Sequence, residues 1–221
     1  MTKTIGLIPV REGSQRVRGK NFIEFVDNKS LLELKINHLK KANVFDHIYV
    51  SSDSQRAKEI ADSNGVEFLL RDAKMCEADV YWAEVVEHIM DTIPGDPIVT
   101  WALTTSPLFN NFKKAIDLFM SQGEQHDSLV AVLPKKSFFL NKYGKGINYN
   151  LGYWHPYSQE LETYYEVTGA CYIAHKSNMQ KWSYWFGPRP YLFAVSEMEA
   201  IDVDTKEDFQ LAQKLYSLKE D

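Results

Sequence analysis

Cysteine is scarce in this chain, basic charge is not in excess, and no run approaches the ~18 consecutive apolar residues of a membrane span. Each shortage excludes something. With only Cys76 and Cys171, a disulfide framework is not what holds the protein together, and a reducing, cytoplasmic setting is expected. The N-terminus has no signal-peptide pattern, which agrees with that expectation and with no membrane partner. Lys and Arg number 25 against 30 Asp and Glu, so a nucleic-acid binder held by bulk positive charge is disfavoured. Any anion must be met by a local basic cluster. The histidines are scattered without ligand spacing and receive no role.

What is present suits a folded α/β protein. At 221 residues and 44% hydrophobic content, the chain can bury one substantial core, and a single domain over residues 1–221 is expected. Residues 4–10 read as a buried strand running into a polar, basic loop. Residues 30–42 place Leu31, Leu32, Leu34, Ile36 and Leu39 near helical period, with Ser30 as the cap. Strands follow at 47–50, 66–70, 97–103 and 128–133. Helices are read at 54–64 (with Gly65 just past the end), 81–90 and 111–122. From 135 to 167 the alternation gives way to mixed aromatics, Gly, Asn and Lys. That segment reads as an excursion from the sheet: short strands, a lid or an oligomer arm. Strands at 169–174 and 199–203 and a helix at 205–218 resume the pattern. Such alternation predicts a doubly wound, mainly parallel sheet, whose ligands sit beyond the carboxyl ends of the strands. The ends to watch are residues 11–21, 51–53, Arg71, 103–107 and 202–205.

The loop after the first strand carries Arg11, Arg16, Arg18 and Lys20 within ten residues. Gly13 and Gly19 let backbone N–H groups approach a phosphate, and the cations supply charge-assisted hydrogen bonds. It is not a Walker A loop: five residues separate Gly13 from Gly19, and Asn21 stands where Ser or Thr would hold magnesium. It is not a dinucleotide fingerprint either. A solvated basic surface loop is the plain alternative.

Ile8, Pro9, Arg11, Gly13, Ser14, Gly19, Lys20 and Asn21 fall in register with the I-P-A-R-x-G-S-K-x-x-x-G-K-N signature of the CMP-sugar synthetases. Gln15 stands where that family usually has Lys. The resemblance extends through Ser51-Ser52-Asp53, Thr105-Ser106-Pro107-Leu108, Gly169-Ala170-Cys171-Tyr172-Ile173 and Ile201-Asp202-Val203-Asp204-Thr205, nearly the whole chain. The chain thus resembles the acylneuraminate and 3-deoxy-manno-octulosonate cytidylyltransferases, with the sialic-acid branch nearest in pattern. The resemblance implies a Rossmann-like nucleotidyltransferase fold, CTP as donor, an acidic sugar as acceptor and a homodimer. It places Arg11, Gly13, Ser14 and Lys20 at the CTP phosphates and Asn21 and Arg71 at the cytosine end. Leu103, Thr104 and Tyr172 fall on its acceptor side.

Asp202 and Asp204 lie two apart, so an extended chain turns both carboxylates to one face. Such a pair suits Mg²⁺, which prefers oxygen ligands. The plain alternative is that Asp204 or Thr205 merely caps the following helix. The resemblance implies a magnesium site there, with Arg11, Lys20 and Asp204 as the catalytic set. The implied reaction is attack of an acceptor oxygen on the α-phosphorus, with pyrophosphate leaving and no covalent protein intermediate. Cys171, inside an apolar strand, reads as packing.

On the acceptor side the chain departs from the sialic-acid pattern. Leu103 stands where that branch has a sugar-contacting Gln, and Ser158 where it has a carboxylate-binding Arg. Lys135, Lys136 or a neighbouring subunit could meet the carboxylate instead. Another acceptor, such as a phosphonate or a capsule component, is the alternative. Trp154, His155, Tyr157, Tyr164 and Tyr165 read first as an oligomer interface, and second as a sugar-stacking surface.

Overall fold

A computed structural model describes residues 2–13 and 16–219. The chain opens with β1 (Thr4–Pro9), then a small hairpin of β2 (Glu24–Val26) and β3 (Lys29–Ser30). Next come α1 (Leu31–Ala42), β4 (His47–Ser52), α2 (Gln55–Ser63), β5 (Glu67–Leu70) and α3 (Trp82–Thr92). The centre continues with β6 (Ile98–Trp101), α4 (Phe112–Ser121), β7 (Ser128–Lys135) and β8 (Tyr164–His175). The chain closes with α5 (Lys176–Trp182), β9 (Pro190–Ala194) and α6 (Lys206–Lys219).

Seven strands form one sheet in the order β5-β4-β1-β6-β8-β7-β9. Four of them, β5, β4, β1 and β6, are mutually parallel; β8 runs antiparallel to β6 and β7, and β9 lies parallel to β7. The strands alternate as a doubly wound sheet requires. Ile8 packs with Leu32, Ile36 and Leu39 of α1 on one face, and Ile5 and Leu7 pack with Val86, Ile89 and Met90 of α3 on the other. A third cluster joins the hairpin to α6 through Phe25, Val203 and Phe209.

Local chemistry sets the boundaries. Ser30 and Glu33 form a reciprocal capping box that starts α1, with Ser30 Oγ accepting from the Glu33 N–H at 3.3 Å and Glu33 Oε2 accepting from the Ser30 N–H at 2.8 Å. Gly65 follows α2 at φ +64°, a left-handed stop. Two readings need correction. Residues 199–203 are not a strand: Val203 makes a single ladder-like bond, its N–H donating to the Thr105 carbonyl at 2.7 Å. The strand read at 169–174 begins at Tyr164, because residues 164–167 pair with residues 132–135. The excursion is therefore residues 136–163, held by a bridge between Leu140 and Gly146 and by a Phe138–Tyr149–His155 ring cluster.

Candidate active site

A cleft of about 610 Å³ opens beyond the carboxyl ends of β1, β5 and β6. Arg11, Arg16, Lys20, Asn21, Arg71, Leu103, Thr104, Thr105, Asp202 and Asp204 all face it. Four of the five strand ends singled out in the sequence thus meet at one place, as the topology of open α/β sheets dictates. Ser51 and Ser52 act from behind: their carbonyls accept from the Val10 and Arg71 N–H groups at 3.0 and 2.9 Å.

The basic loop is shaped by its own bonds. Gly19 adopts φ +64°, and its carbonyl accepts from the Phe22 N–H at 2.8 Å, so the loop turns tightly just before Lys20. Lys20 is 9% exposed. Its Nζ donates to the Val203 carbonyl at 2.5 Å and lies 3.5 Å from Asp204 Oδ1. Asn21 is a two-way link, Nδ2 donating to the Arg11 carbonyl at 3.1 Å and Oδ1 accepting from Thr104 Oγ1 at 2.7 Å. Arg11 Nη1 reaches the Glu77 carbonyl at 3.1 Å. Gly13 is exposed and is not among the residues facing the cleft, and Ser14 lies outside the described residues.

Arg71 is buried, with no carboxylate bonded to it among the described residues. Its Nε donates to Cys76 Sγ at 2.9 Å and its Nη2 to the Val10 carbonyl. A structural salt bridge is therefore not what holds it, and it lines the cleft.

Asp202 and Asp204 share a face although they are not on a strand. Val203 between them turns inward, fully buried, and leaves both carboxylates at the cleft. The capping question is settled by Thr205, whose Oγ1 accepts from the Asp208 N–H at 3.1 Å while Asp208 Oδ2 accepts from the Thr205 N–H at 2.7 Å. The Asp204 carboxylate is not needed for that cap. It pairs instead with Arg16 at 2.8 Å and with Lys20. Lost hydration raises the Asp202 carboxyl above its ordinary range, and the neighbouring Asp204 charge adds to the rise, against a hydrogen bond with Thr105 and the charges of Lys20 and Arg16.

Other expectations fare differently. Tyr172 does not face the cleft; it is 6% exposed, stacked on Trp185 at 5.2 Å and on Phe186 at 6.1 Å. Lys135 pairs with Glu166 at 3.6 Å and Lys136 donates to the Gln159 carbonyl at 3.0 Å, and neither faces the cleft. Cys171 is fully buried, and desolvation pushes its thiol up to about 12, which fits packing. Sequence reading missed Met75, Glu77, Ala78, Val80, Trp82 and Val85, which complete the wall. Only their proximity to Arg71 in the chain hinted at them.

Among the described residues, no helix is long and apolar enough to cross a membrane. Residues 5–142 match the family described as cytidylyltransferase. The chain is 27% identical over 218 residues to an N-acylneuraminate cytidylyltransferase of Escherichia coli, covering 96% of this chain and 51% of that protein. It thus spans about half the length of that relative. A pseudaminic acid cytidylyltransferase of Campylobacter jejuni is 25% identical over 228 residues, covering 98% of this chain and 97% of the other. Among solved structures, CMP:2-keto-3-deoxy-manno-octonic acid synthetase complexed with CTP superposes at a TM-score of 0.72, with 13% identity over 99% of this chain and 100% of that one, a likeness of fold. A doubly wound sheet, a basic loop and an acidic pair at its carboxyl edge, and a match across residues 5–142 lead to one assignment: the chain belongs to the cytidylyltransferase family.

Proposed function

We propose that this protein activates an acidic sugar, a sialic-acid-like nonulosonate, by transferring a cytidylyl group to it from CTP with release of pyrophosphate. One observation carries the reading: Arg11, Lys20 and Arg71 share a single cleft with Asp202 and Asp204. Cations to hold a triphosphate and carboxylates to hold a metal are what in-line nucleotidyl transfer requires. The names of the relatives support a sugar acid as acceptor and give no support to a phosphonate.

Each residue has a part that its placement supports. Lys20 and Arg11, with Arg16 beside them, neutralise the triphosphate and stabilise the leaving pyrophosphate. Arg71 and Asn21 hold the cytosine end. Asp202 and Asp204 would hold Mg²⁺. Among the described residues no group of three or more His, Cys, Asp or Glu could cage an ion. Two carboxylates beside a phosphate site nevertheless fit a cation that takes one or two protein carboxylates and completes its shell with phosphate and water. When bound, the ion supplies charge neutralisation at the phosphates and lowers the pKa of the acceptor hydroxyl.

The same reading makes the protein a cytoplasmic homodimer, with residues 1–221 as one catalytic unit and the excursion as its dimer arm. Tyr143, Tyr153, Trp154 and Tyr157 of that arm are each at least 75% exposed, aromatic surface of the kind that interfaces use. Light scattering should give twice the mass of the chain, and Trp154→Lys should shift it toward monomer. The activity itself is tested by pyrophosphate release with each nucleoside triphosphate, Mg²⁺ and a panel of nonulosonic acids and octulosonates. Turnover confined to CTP and lost in Asp204→Ala supports the reading; no turnover with any pair overturns it.

A further inference from the structure

Asp204 is where the basic loop and the acidic pair meet. Its Oδ1 lies 2.8 Å from Arg16 Nη2 and 3.5 Å from Lys20 Nζ, so two cations of one loop converge on a single carboxylate oxygen. The reading above gives that same carboxylate to Mg²⁺. An oxygen already accepting from a guanidinium has less lone-pair capacity to offer a divalent ion, and the guanidinium repels the ion besides. The Arg16 charge also acts on Asp202 and Asp208, so it offsets the acidic cluster as a whole.

The two cations are held differently. Lys20 is 9% exposed, and its Nζ is fixed to the Val203 carbonyl inside the fold. The Arg16 side chain is 64% exposed, and among the described residues Asp204 is the one group to which it is bonded. Asp204 itself is tethered: its N–H donates to Asp208 Oδ2 at 3.1 Å, and Val203 before it is fully buried. The partner free to move is therefore Arg16. Exposed ion pairs of this kind are weak and exchange readily. Arg16 shares the cleft with Arg11, Lys20 and Arg71, where a triphosphate would offer several charged oxygens against the single one of Asp204.

From this geometry we propose that Arg16 exchanges between two partners, resting on Asp204 until a nucleoside triphosphate enters the cleft and then passing to the phosphates. Its departure leaves Asp204 to the divalent ion. The inference rests on the cytidylyltransferase reading above and adds an order of events to it. Arg16 thereby weakens metal binding to the nucleotide-free protein and strengthens binding of the triphosphate. Nucleotide and ion then favour each other's binding, as linkage requires.

The test uses Arg16→Gln, which keeps a polar exposed side chain, removes the charge and should leave thermal unfolding unchanged. Two affinities should move in opposite directions. In nucleotide-free protein Mn²⁺, followed by electron paramagnetic resonance, should bind about 5-fold tighter than in wild type, as a weak competing pair is lost. In EDTA CTP, followed by calorimetry, should bind about 10-fold more weakly, as one charged hydrogen bond is lost. Arg16→Lys keeps the charge and should return both values toward wild type. Adding Asp204→Asn to Arg16→Gln should erase the gain in Mn²⁺ affinity. A merely structural role would weaken both ligands together. That outcome, an unchanged affinity for either ligand, or a Mn²⁺ gain that survives Asp204→Asn overturns the proposal, while CTP binding and pyrophosphate release by wild type keep the transferase reading. Wild type that neither binds CTP nor releases pyrophosphate from it overturns both.

Discussion

Lys20 Nζ donates to the Val203 carbonyl at 2.5 Å, although the two residues are 183 apart in the chain. That bond ties the basic loop to the acidic segment, and it puts the ammonium within 3.5 Å of Asp204 Oδ1. The spacing of the basic loop and the acidic pair is therefore tied by one side chain. Lys20→Met keeps the stem and removes the charge. We expect kcat/KM to fall by about 100-fold or more, as when one preorganised donor to a developing charge is lost. Stability should fall by about 1.5–3 kcal/mol, the range for a charged hydrogen bond. Steady-state kinetics and urea unfolding read the two effects separately, and a variant with wild-type kcat/KM would remove Lys20 from the site.

Arg71 gives a second prediction, because its two bonds are both to uncharged partners, the Val10 carbonyl and the Cys76 thiol. A planar guanidinium can keep those bonds and still present further N–H groups in one fixed plane to a base, a geometry an ammonium does not reproduce. Arg71→Lys should raise the KM for CTP about 10-fold or more while changing kcat less. Cys76→Ala, which removes only the Nε acceptor, should give a smaller rise in the same direction. An Arg71→Lys variant whose loss lies wholly in kcat would place the residue at the reacting phosphates instead.

Much of this architecture was legible in the sequence, for identifiable reasons. The capping box at Ser30 and the left-handed Gly65 are local signals, and both stand in the fold. The basic loop and the acidic pair were visible because their residue types and spacing are themselves the chemistry. Residues 199–203 misled because Ile201 and Val203 alternate as in a strand, while only one ladder-like bond forms there. β9 was missed: it begins at Pro190, and only Phe193 of its residues is buried, so it lacks a strand's pattern. Tyr172 was assigned to the acceptor by resemblance, but alternation along β8 does not reveal which face the cleft occupies. Trp82 carried no signal beyond its nearness to Arg71 in the chain. A single tryptophan at the start of a helix reads as core until Trp185, about a hundred residues later, is seen to anchor it.

The acidic pair predicts a particular metal dependence. Asp202→Asn and Asp204→Asn preserve shape and remove one charge each. Both should weaken Mg²⁺, seen as a rise of about 10-fold or more in the Mg²⁺ concentration giving half-maximal rate, with a lower kcat at saturation. Asp204→Asn also removes its charge from Arg16 and Lys20; the Arg16 bridge, with its side chain 64% exposed, adds less than about 1 kcal/mol to stability, and Lys20 keeps its bond to the Val203 carbonyl. Thermal unfolding without metal should therefore move little for Asp204→Asn while the Mg²⁺ curve moves greatly. Chelation should abolish turnover in wild type. Parallel Mg²⁺ curves for wild type and both variants would take the ion away from this pair.

The two cysteines offer a probe of the donor site that needs no turnover. Burial raises both thiols, but unequally: Cys171 is driven to about 12, whereas Arg71 partly offsets the rise at Cys76. Only the thiolate attacks an alkylating reagent, and at pH 8 a thiol with a pKa near 12 is ionised in roughly one molecule in ten thousand. Native protein should thus label slowly at Cys76 and not at Cys171, which reacts only on unfolding. Raising the pH from 7 toward 9 should speed labelling of Cys76, since its thiolate fraction grows throughout that window. Because Cys76 accepts from the same Arg71 guanidinium assigned to the cytosine end, CTP should slow its labelling while ATP at the same concentration should not. Mass spectrometry of iodoacetamide-treated protein distinguishes the two sites. Equal protection by both nucleotides would separate Arg71 from base recognition, and native labelling of Cys171 would contradict its burial in the sheet.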